Sequence, residues 1–164
     1  MRNISIAQES TDHEKYKALV VQMKSLIEGD SFPLSSYSNF CAALKMTFEK
    51  ISWAGFYFLK DDCLYLGPFQ GKPACTVIKL GRGVCGTAAA EKKTVIVPDV
   101  DQFPGHIACD SASRSEIVVP VISQGVLTGV LDLDSTELNS FNETDRQYLQ
   151  QLCSLLPELS FICS

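Results

Sequence analysis

The sequence lacks several features that would assign it to a common functional class. No apolar run approaches the ~20 residues of a membrane span, and no signal peptide precedes the polar segment 1–10. Basic residues are too few for a nucleic-acid or anionic membrane surface, because 14 Lys and Arg stand against 19 Asp and Glu. Internal repeats and linkers are also absent. We therefore expect one cytoplasmic domain over residues 1–164, without nucleic-acid or membrane partners.

No C-x-x-C pair occurs, although the chain has seven cysteines. That absence argues against a thioredoxin-type site and against the common zinc motifs. In a reducing cytoplasm a structural disulfide framework is not expected, so the thiols are buried hydrophobes, metal ligands or redox catalysts. We expect some of them to be reactive.

Apolar residues repeat at helical spacing at both ends of the chain. Ser10 or Thr11 can cap the first helix, with Glu14 completing the cap. The second helix follows the Pro33 turn, and the last begins near Asn142. The spacing predicts these three helices over residues 11–29, 33–51 and 142–159.

Between these helices the apolar period changes to that of β-strands. Residues 81–92 form an exception, since their glycines favour the start of a short helix. Helices at both ends of a mostly antiparallel sheet predict an α+β fold. The six predicted strands span residues 53–59, 64–66, 75–80, 94–97, 116–122 and 126–133.

The last predicted hairpin fixes the position of a carboxylate strand. If residues 123–125 form a three-residue loop, its glycine takes the left-handed conformation that such loops require. Ile122 then pairs with Val126, and counting outward sets Glu116 opposite Asp132. Paired residues lie on the same face of a sheet.

This register groups three carboxylates, because Asp134 is two residues beyond Asp132 and side chains alternate along a strand. A two-residue loop would instead set Glu116 against Leu133. Neighbouring carboxylates raise one another's pKa, so the group could donate a proton or bind an ammonium. The alternative is that Glu116, Asp132 and Asp134 lie in water at strand ends.

Three thiols lie close to motifs that could carry chemistry. Cys85 lies at a predicted helix start, where the helix dipole and Arg82 would stabilise a thiolate. Cys109 precedes the carboxylate strand, whose charges would keep it a thiol until substrate arrives. Each cysteine could also be a small buried side chain. A zinc site formed by Cys75, Cys85, His106 and Cys109 remains an alternative.

Two further features could line a pocket. Trp53 and Tyr57 share one face of the first strand, either as core residues or as an aromatic wall. The GRGVCGTAAA segment offers free backbone N–H groups that could bind a carboxylate or phosphate, although it lacks the P-loop pattern. Its glycines could also serve only to shape a turn.

Three stretches carry a family resemblance: GKPACTVIKLGRGVCGTAA, FPGHIACDSASRSEIVVPV and GVLTGVLDLDS. They resemble the free methionine-(R)-sulfoxide reductases, which are GAF-domain enzymes, and the resemblance extends over nearly the whole chain. It implies a GAF-like α+β fold with a six-stranded central sheet. The terminal helices would pack on one face of that sheet, and the active-site pocket would lie on the other.

The resemblance implies an oxidoreductase that repairs oxidative damage by reducing free, not protein-bound, methionine R-sulfoxide. It implies that the enzyme has no bound cofactor and is reduced again by thioredoxin after each turnover. It is also compatible with a homodimer. Cys109 would be the catalytic thiol and Cys75 the recycling thiol, with Cys85 as an alternative partner. Residues implied to bind substrate are Trp53, Tyr57, Glu116, Asp132 and Asp134.

The implied mechanism combines these residues. Cys109 would attack the sulfoxide sulfur while Glu116 or Asp134 protonates the oxygen. Asp132 would bind the substrate ammonium, and amides of residues 85–87 its carboxylate. Two alternatives are a non-catalytic GAF module that senses a small molecule or redox state, and a thiol peroxidase. Four cysteines receive no role: Cys41, Cys63, Cys153 and Cys163.

Overall fold

A six-stranded antiparallel sheet organises the fold, in the strand order β3-β2-β1-β6-β5-β4. The computed structural model describes residues 4–7, 10–28, 30–107, 109 and 111–159. Gly29, where the first helix was expected to end, and Cys163 lie outside these residues. The strands are β1 Trp53–Lys60, β2 Cys63–Gln70, β3 Val77–Lys79, β4 Val95–Val97, β5 Ser115–Ser123 and β6 Val126–Ser135.

Four α-helices accompany the sheet: α1 Asp12–Ile27, α2 Pro33–Thr47, α3 Gly83–Glu91 and α4 Glu143–Cys153. The predicted cap of the first helix is confirmed at Thr11, whose side chain and that of Glu14 form a capping box. No helix in these described parts of the chain is long and apolar enough to cross a membrane.

Two helices are shorter than the apolar spacing predicted. Helix α2 ends at Thr47, and Ile51 follows it in a turn in which its N–H donates to Phe48 O at 3.1 Å. Helix α4 ends at Cys153, well before residue 159. A proline disfavours helical backbone in the residue before it, so Pro157 helps to stop the last helix. The residues beyond both helices still point into the core.

The two faces of the sheet carry different layers, as predicted. Helices α1, α2 and α4 pack on one face, in a core cluster with alternate residues of β1, β5 and β6. Helix α3 packs on the opposite face within a second, smaller cluster. Alternation along β1 separates the two, since Ala54 and Phe56 face the first cluster whereas Trp53 and Tyr57 face the second. The expected α+β fold is therefore confirmed.

The predicted register of the β5–β6 hairpin is wrong by two residues. The loop has two residues, because Ser123 pairs with Val126, and both loop residues have the positive φ of a type I′ turn. Thr128 is then an extra residue on β6, and beyond it Glu116 pairs with Asp134. The shorter loop and the bulge each shift the register by one residue.

Because the two shifts add to an even number, the carboxylates still share a face. Asp132 pairs with Val118 and therefore lies diagonally across from Glu116 on the same side of the sheet. Strand β3 also differs from prediction, since it begins at Val77 and leaves Cys75 in the preceding loop. That loop position brings Cys75 near the segment that contains Cys109.

Candidate active site

A cavity on the α3 side of the sheet collects most of the predicted site residues. It measures about 540 Å³ together with its open mouth. Strand β1 supplies aromatic side chains, α3 supplies a thiol, and the β5–β6 hairpin supplies carboxylates. The predicted residues that line it are Trp53, Tyr57, Cys85, Cys109, Glu116, Asp132 and Asp134.

Cys75 joins this group through a disulfide with Cys109. The two residues are 34 positions apart in sequence, and their Cα atoms are 5.5 Å apart. Both cysteines are partly exposed, so a thiol from another molecule can reach the bond. The disulfide also removes two of the four ligands that the alternative zinc site required.

Glu116 and Asp132 form the buried part of the carboxylate group, whereas Asp134 is half-buried. Burial raises the pKa of Glu116 well above its ordinary value, and the charges of Asp132 and Asp134 raise it further. Burial also raises the pKa of Asp132 to about 6, although hydrogen bonds from Cys85 and Glu116 oppose the rise. The cavity therefore keeps Glu116 protonated close to neutral pH, whereas Asp132 is mostly ionised there.

The expectation that Arg82 and the helix start would favour a Cys85 thiolate is wrong. The Cys85 side chain is buried, and its Sγ lies 4.0 Å from Glu116 Oε1. Burial raises the pKa of this thiol well above its ordinary value, with further contributions from Asp132 and Glu116. Cys85 is consequently a neutral thiol in this environment.

Within the described ranges, Cys85, Glu116 and Asp132 are also the side chains grouped closely enough to coordinate a metal ion. Their candidate ligand atoms lie within 4.8 Å of one another. A metal requires deprotonated ligands, whereas burial keeps protons on two of the three groups, Cys85 and Glu116. We assign no metal ion to them.

Trp53 and Tyr57 form an aromatic wall whose polar atoms already have partners. The Trp53 ring stacks on Phe69 at a centroid distance of 5.5 Å, and its Nε1–H donates to Lys72 O at 2.9 Å. The Tyr57 hydroxyl donates to Cys75 O at 3.0 Å. The wall therefore offers the cavity an apolar surface, suited to a methyl or methylene group.

Helix α3 offers backbone N–H groups at residues 83–85, so of the predicted residues 85–87 only Cys85 is among them. The helix begins after Arg82 without a side-chain cap, so its first N–H groups have no intrahelical partners. The Gly86 N–H, by contrast, donates to Arg82 O at 3.1 Å. An anion in the cavity would therefore meet the first turn of the helix.

Sequence reasoning did not single out several residues that line the cavity, and it considered His106 as a zinc ligand or a loop residue. Ser113 and Ile107 were not singled out, although both belong to the segment that contains Cys109. His106 lines the cavity too, with its Nε2 3.8 Å from Glu116 Oε2. The serine could have been suspected, since it lies between Cys109 and the carboxylate strand.

The arrangement combines a disulfide-bonded cysteine pair with a protonated carboxyl group and a charged surface. Asp132 can bind a cation, and the α3 N-terminus can bind an anion. A small molecule that carries both charges and an apolar chain would satisfy all these groups at once. The cavity is thus suited to thiol redox chemistry on a free amino acid derivative.

Known proteins resemble this chain in both sequence and structure. The GAF domain family matches residues 40–156. "GAF domain-containing protein A" of Dictyostelium discoideum is 50% identical over 90% of this chain and 94% of its own length. The free methionine-R-sulfoxide reductase of Escherichia coli is 47% identical over 89% of this chain and 88% of its own.

A solved structure adds agreement in three dimensions. It is the free methionine-R-sulfoxide reductase of Neisseria meningitidis in complex with its substrate, at a TM-score of 0.91 and 44% identity. The alignment covers 95% of this chain and 93% of that one.

Proposed function

This chain belongs to the free methionine-R-sulfoxide reductases of the GAF domain family, and we propose that it reduces free methionine R-sulfoxide with Cys109 as the attacking thiol. One observation supports this activity above all. The Cys75–Cys109 disulfide borders the same cavity as the buried carboxyl groups of Glu116 and Asp132.

The first chemical step forms a bond between the Cys109 sulfur and the sulfoxide sulfur. A proton from Glu116 or Asp134 moves to the sulfoxide oxygen, and the thiol proton of Cys109 replaces it on the carboxylate. The protonated oxygen then passes from the methionine sulfur to the Cys109 sulfur, as the S–S and S–O bonds to the methionine sulfur break. Methionine leaves, and Cys109 becomes a sulfenic acid. The raised pKa of Glu116 supports it as the donor, because it keeps the proton available near neutrality.

The second step regenerates a reducible disulfide. The Cys75 thiol attacks the sulfenic sulfur of Cys109, and water leaves. Thioredoxin, a dithiol protein, then reduces the disulfide by thiol exchange and needs no bound cofactor. Cys85 is the alternative partner for Cys109, although its burial makes it a poor target for an external reductant.

Recognition of the free amino acid follows from its two charges. Asp132 binds the ammonium group, and the N–H groups of residues 83–85 face the carboxylate. Trp53 contacts the methyl group, and Tyr57 extends the same wall. Methionine inside a peptide has amide groups at these two places, which would leave the charged partners unpaired in the cavity.

We also propose that residues 1–164 act as a single cytoplasmic domain. The helical core supports the first part, because α1 and α4 pack together in one cluster. Cysteine usage supports the second, since four described cysteines remain free thiols. A homodimer is compatible with this proposal.

The decisive experiment is a turnover assay on each epimer of free methionine sulfoxide, followed by amino-acid analysis. We expect thioredoxin-dependent loss of the R epimer alone. Cys109→Ser should abolish reduction even in a single turnover, and Cys63→Ser, a cysteine outside the cavity, provides the matched control. A full single turnover by the Cys109→Ser variant would contradict the proposal.

The recycling step needs a separate measurement. Cys75→Ser should reduce one equivalent of sulfoxide and then fail to cycle with thioredoxin. Unchanged steady-state cycling would exclude Cys75 as the sole resolving thiol. Binding of methionine sulfoxide without consumption would indicate a sensing module instead.

A further inference from the structure

Two buried polar atoms in the cavity lack hydrogen-bond partners among the described residues. They are the hydroxyl oxygen of Ser113 and Oδ1 of Asp132, and both side chains are more than nine-tenths buried. A buried polar group without a partner is costly to the folded state, so such atoms call for an explanation. One atom belongs to a hydroxyl donor and the other to a carboxyl acceptor.

Other side-chain donors at the cavity are already used or exposed to solvent. The indole N–H of Trp53 donates to Lys72 O, and the Tyr57 hydroxyl donates to Cys75 O. His106 faces Glu116 at 3.8 Å. Arg82 is exposed, so its attraction for an anion is screened by water. Ser113 thus remains as a buried side-chain donor for a ligand.

We propose that the Ser113 hydroxyl donates a hydrogen bond to the carboxylate of the bound amino acid. With Asp132 on the ammonium group, it forms a clamp that recognises both charged ends of the substrate. This role rests on the proposed function and adds a side chain to the backbone N–H groups of α3. It makes Ser113 a determinant of selectivity for the free amino acid.

The backbone that directly follows Ser113 is held by hydrogen bonds, which helps to position the Ser113 hydroxyl before the substrate arrives. The Arg114 N–H donates to Ser135 O at 2.7 Å, and Arg114 O accepts from the Val100 N–H at 3.0 Å. The Ser115 hydroxyl donates to Glu137 O at 2.6 Å. Groups held in the bound geometry lose little entropy on binding, which favours a specific interaction.

The test compares free methionine R-sulfoxide with its carboxamide, in which the carboxylate is neutral. Ser113→Ala should lower kcat/KM for the free amino acid by about 10- to 100-fold, mainly through KM, because a hydrogen bond to a charged group is lost. The loss for the carboxamide should be no more than about 5-fold, since its carbonyl accepts a weaker bond. The preference for the acid should therefore shrink.

Two variants serve as controls. Ser113→Thr keeps the hydroxyl and should keep the preference for the free amino acid over the carboxamide. Ser113→Gly removes the hydroxyl together with Cβ, and it should behave like Ser113→Ala. Ser111→Ala changes an exposed serine of the same loop and should leave both substrates unaffected. Near-ultraviolet circular dichroism and formation of the Cys75–Cys109 disulfide report whether each variant is folded.

Three results would overturn this role. They are an equal loss on both substrates, a loss confined to kcat, and a Ser113→Thr variant as defective as Ser113→Ala. The first two would indicate contact with the sulfoxide oxygen or a structural effect. Failure of the wild-type protein to reduce the free sulfoxide would count against the proposed function, and not against Ser113 specifically.

Discussion

Two buried aspartates on opposite faces of the sheet differ in how their oxygens are satisfied. Asp145, in the helical layer, is fully buried, and Asp132, in the cavity, is 7% exposed. Asp145 accepts from Lys50 Nζ at 2.7 Å, from the Tyr16 hydroxyl at 2.9 Å and from the Asn142 N–H at 2.8 Å. Oδ1 of Asp132 has no partner among the described residues.

Burial of these two aspartates serves different purposes. The contacts of Asp145 join α1, α4 and the segment before β1, so its burial serves the fold. Asp132 accepts hydrogen bonds from Cys85 and Glu116 but lies among other acidic groups, so a cation would supply the partner of opposite charge that it lacks among the described residues. A buried carboxylate with all its partners stabilises the protein, whereas one that lacks a partner can gain it from a substrate.

The largest expected effect is on stability, through Asp145→Ala. The substitution leaves Lys50 and Tyr16 without this partner and removes the α4 capping box, so we expect a loss of about 3–5 kcal/mol in the free energy of unfolding. Urea unfolding measures it. The folded variant should keep its KM, because the two sites are separated by the sheet. A rise in KM that the loss of folded protein does not account for would show that the two faces of the sheet are coupled.

Asp132→Asn should have the opposite profile. We expect KM for methionine R-sulfoxide to rise by about 100-fold, because the ammonium loses a buried charged partner, while stability stays the same or increases. Steady-state kinetics and urea unfolding test both parts. Asp62→Asn, at the exposed turn between β1 and β2, is the matched control. Destabilisation by Asp132→Asn with unchanged KM would reverse the comparison.

The ionisation of Asp132 should also make the stability of the protein depend on pH. Burial raises the pKa of Asp132 from 3.8 to about 6, so the folded state binds this proton more tightly than the unfolded state. The resulting stability is fully present below about pH 4 and is lost as pH rises through about 6, by about 2–3 kcal/mol.

Urea unfolding at stepped pH should show this decline in the parent and a smaller one in Asp132→Asn. The difference between the two proteins isolates Asp132 from the other carboxylates. Parallel curves over this range would mean that Asp132 carries its charge equally well in both states.

The smallest expected effect concerns the position of the Trp53 ring in the cavity wall. A Cβ at Gly55 would overlap the Trp53 ring and approach Phe69 Cβ to 2.6 Å, so Gly55→Ala must displace the indole. We expect a rise in KM of about 10-fold from the shifted methyl contact. Gly67→Ala produces a similar overlap with Phe58, which packs with the helical layer, and should leave KM unchanged. Equal effects on KM would remove Trp53 from the substrate wall.

Periodicity predicted the parts of this molecule that repeat. Alternation along β1 placed Trp53 and Tyr57 on one face, and the cap at Thr11 followed from its own side chain and Glu14. The common face of Glu116 and Asp132 was predicted correctly although the loop length and register were wrong. Face depends only on whether the shift is odd or even, so it is more predictable than register.

Features that depend on distant partners could not be predicted. No local pattern shows that the Tyr57 hydroxyl donates to Cys75 O, or that the Ser113 hydroxyl has no partner among the described residues. The thiolate expected at Cys85 failed for a related reason, because burial against Glu116 and Asp132 outweighs the helix start. The predicted helix lengths were wrong where apolar side chains continue to face the core after the helical backbone has ended.

Thr128 is the extra residue of the β6 bulge, and its hydroxyl donates to Val121 O at 3.1 Å. This bulge offsets the one-residue shift in strand pairing that the two-residue turn introduces. One residue fewer in the turn would by itself turn the acids toward the helices, and the bulge turns them back. A change at this tip that shifts the strand pairing by one residue would separate the acids of β5 and β6 onto opposite faces, whereas a shift of two residues would keep them together.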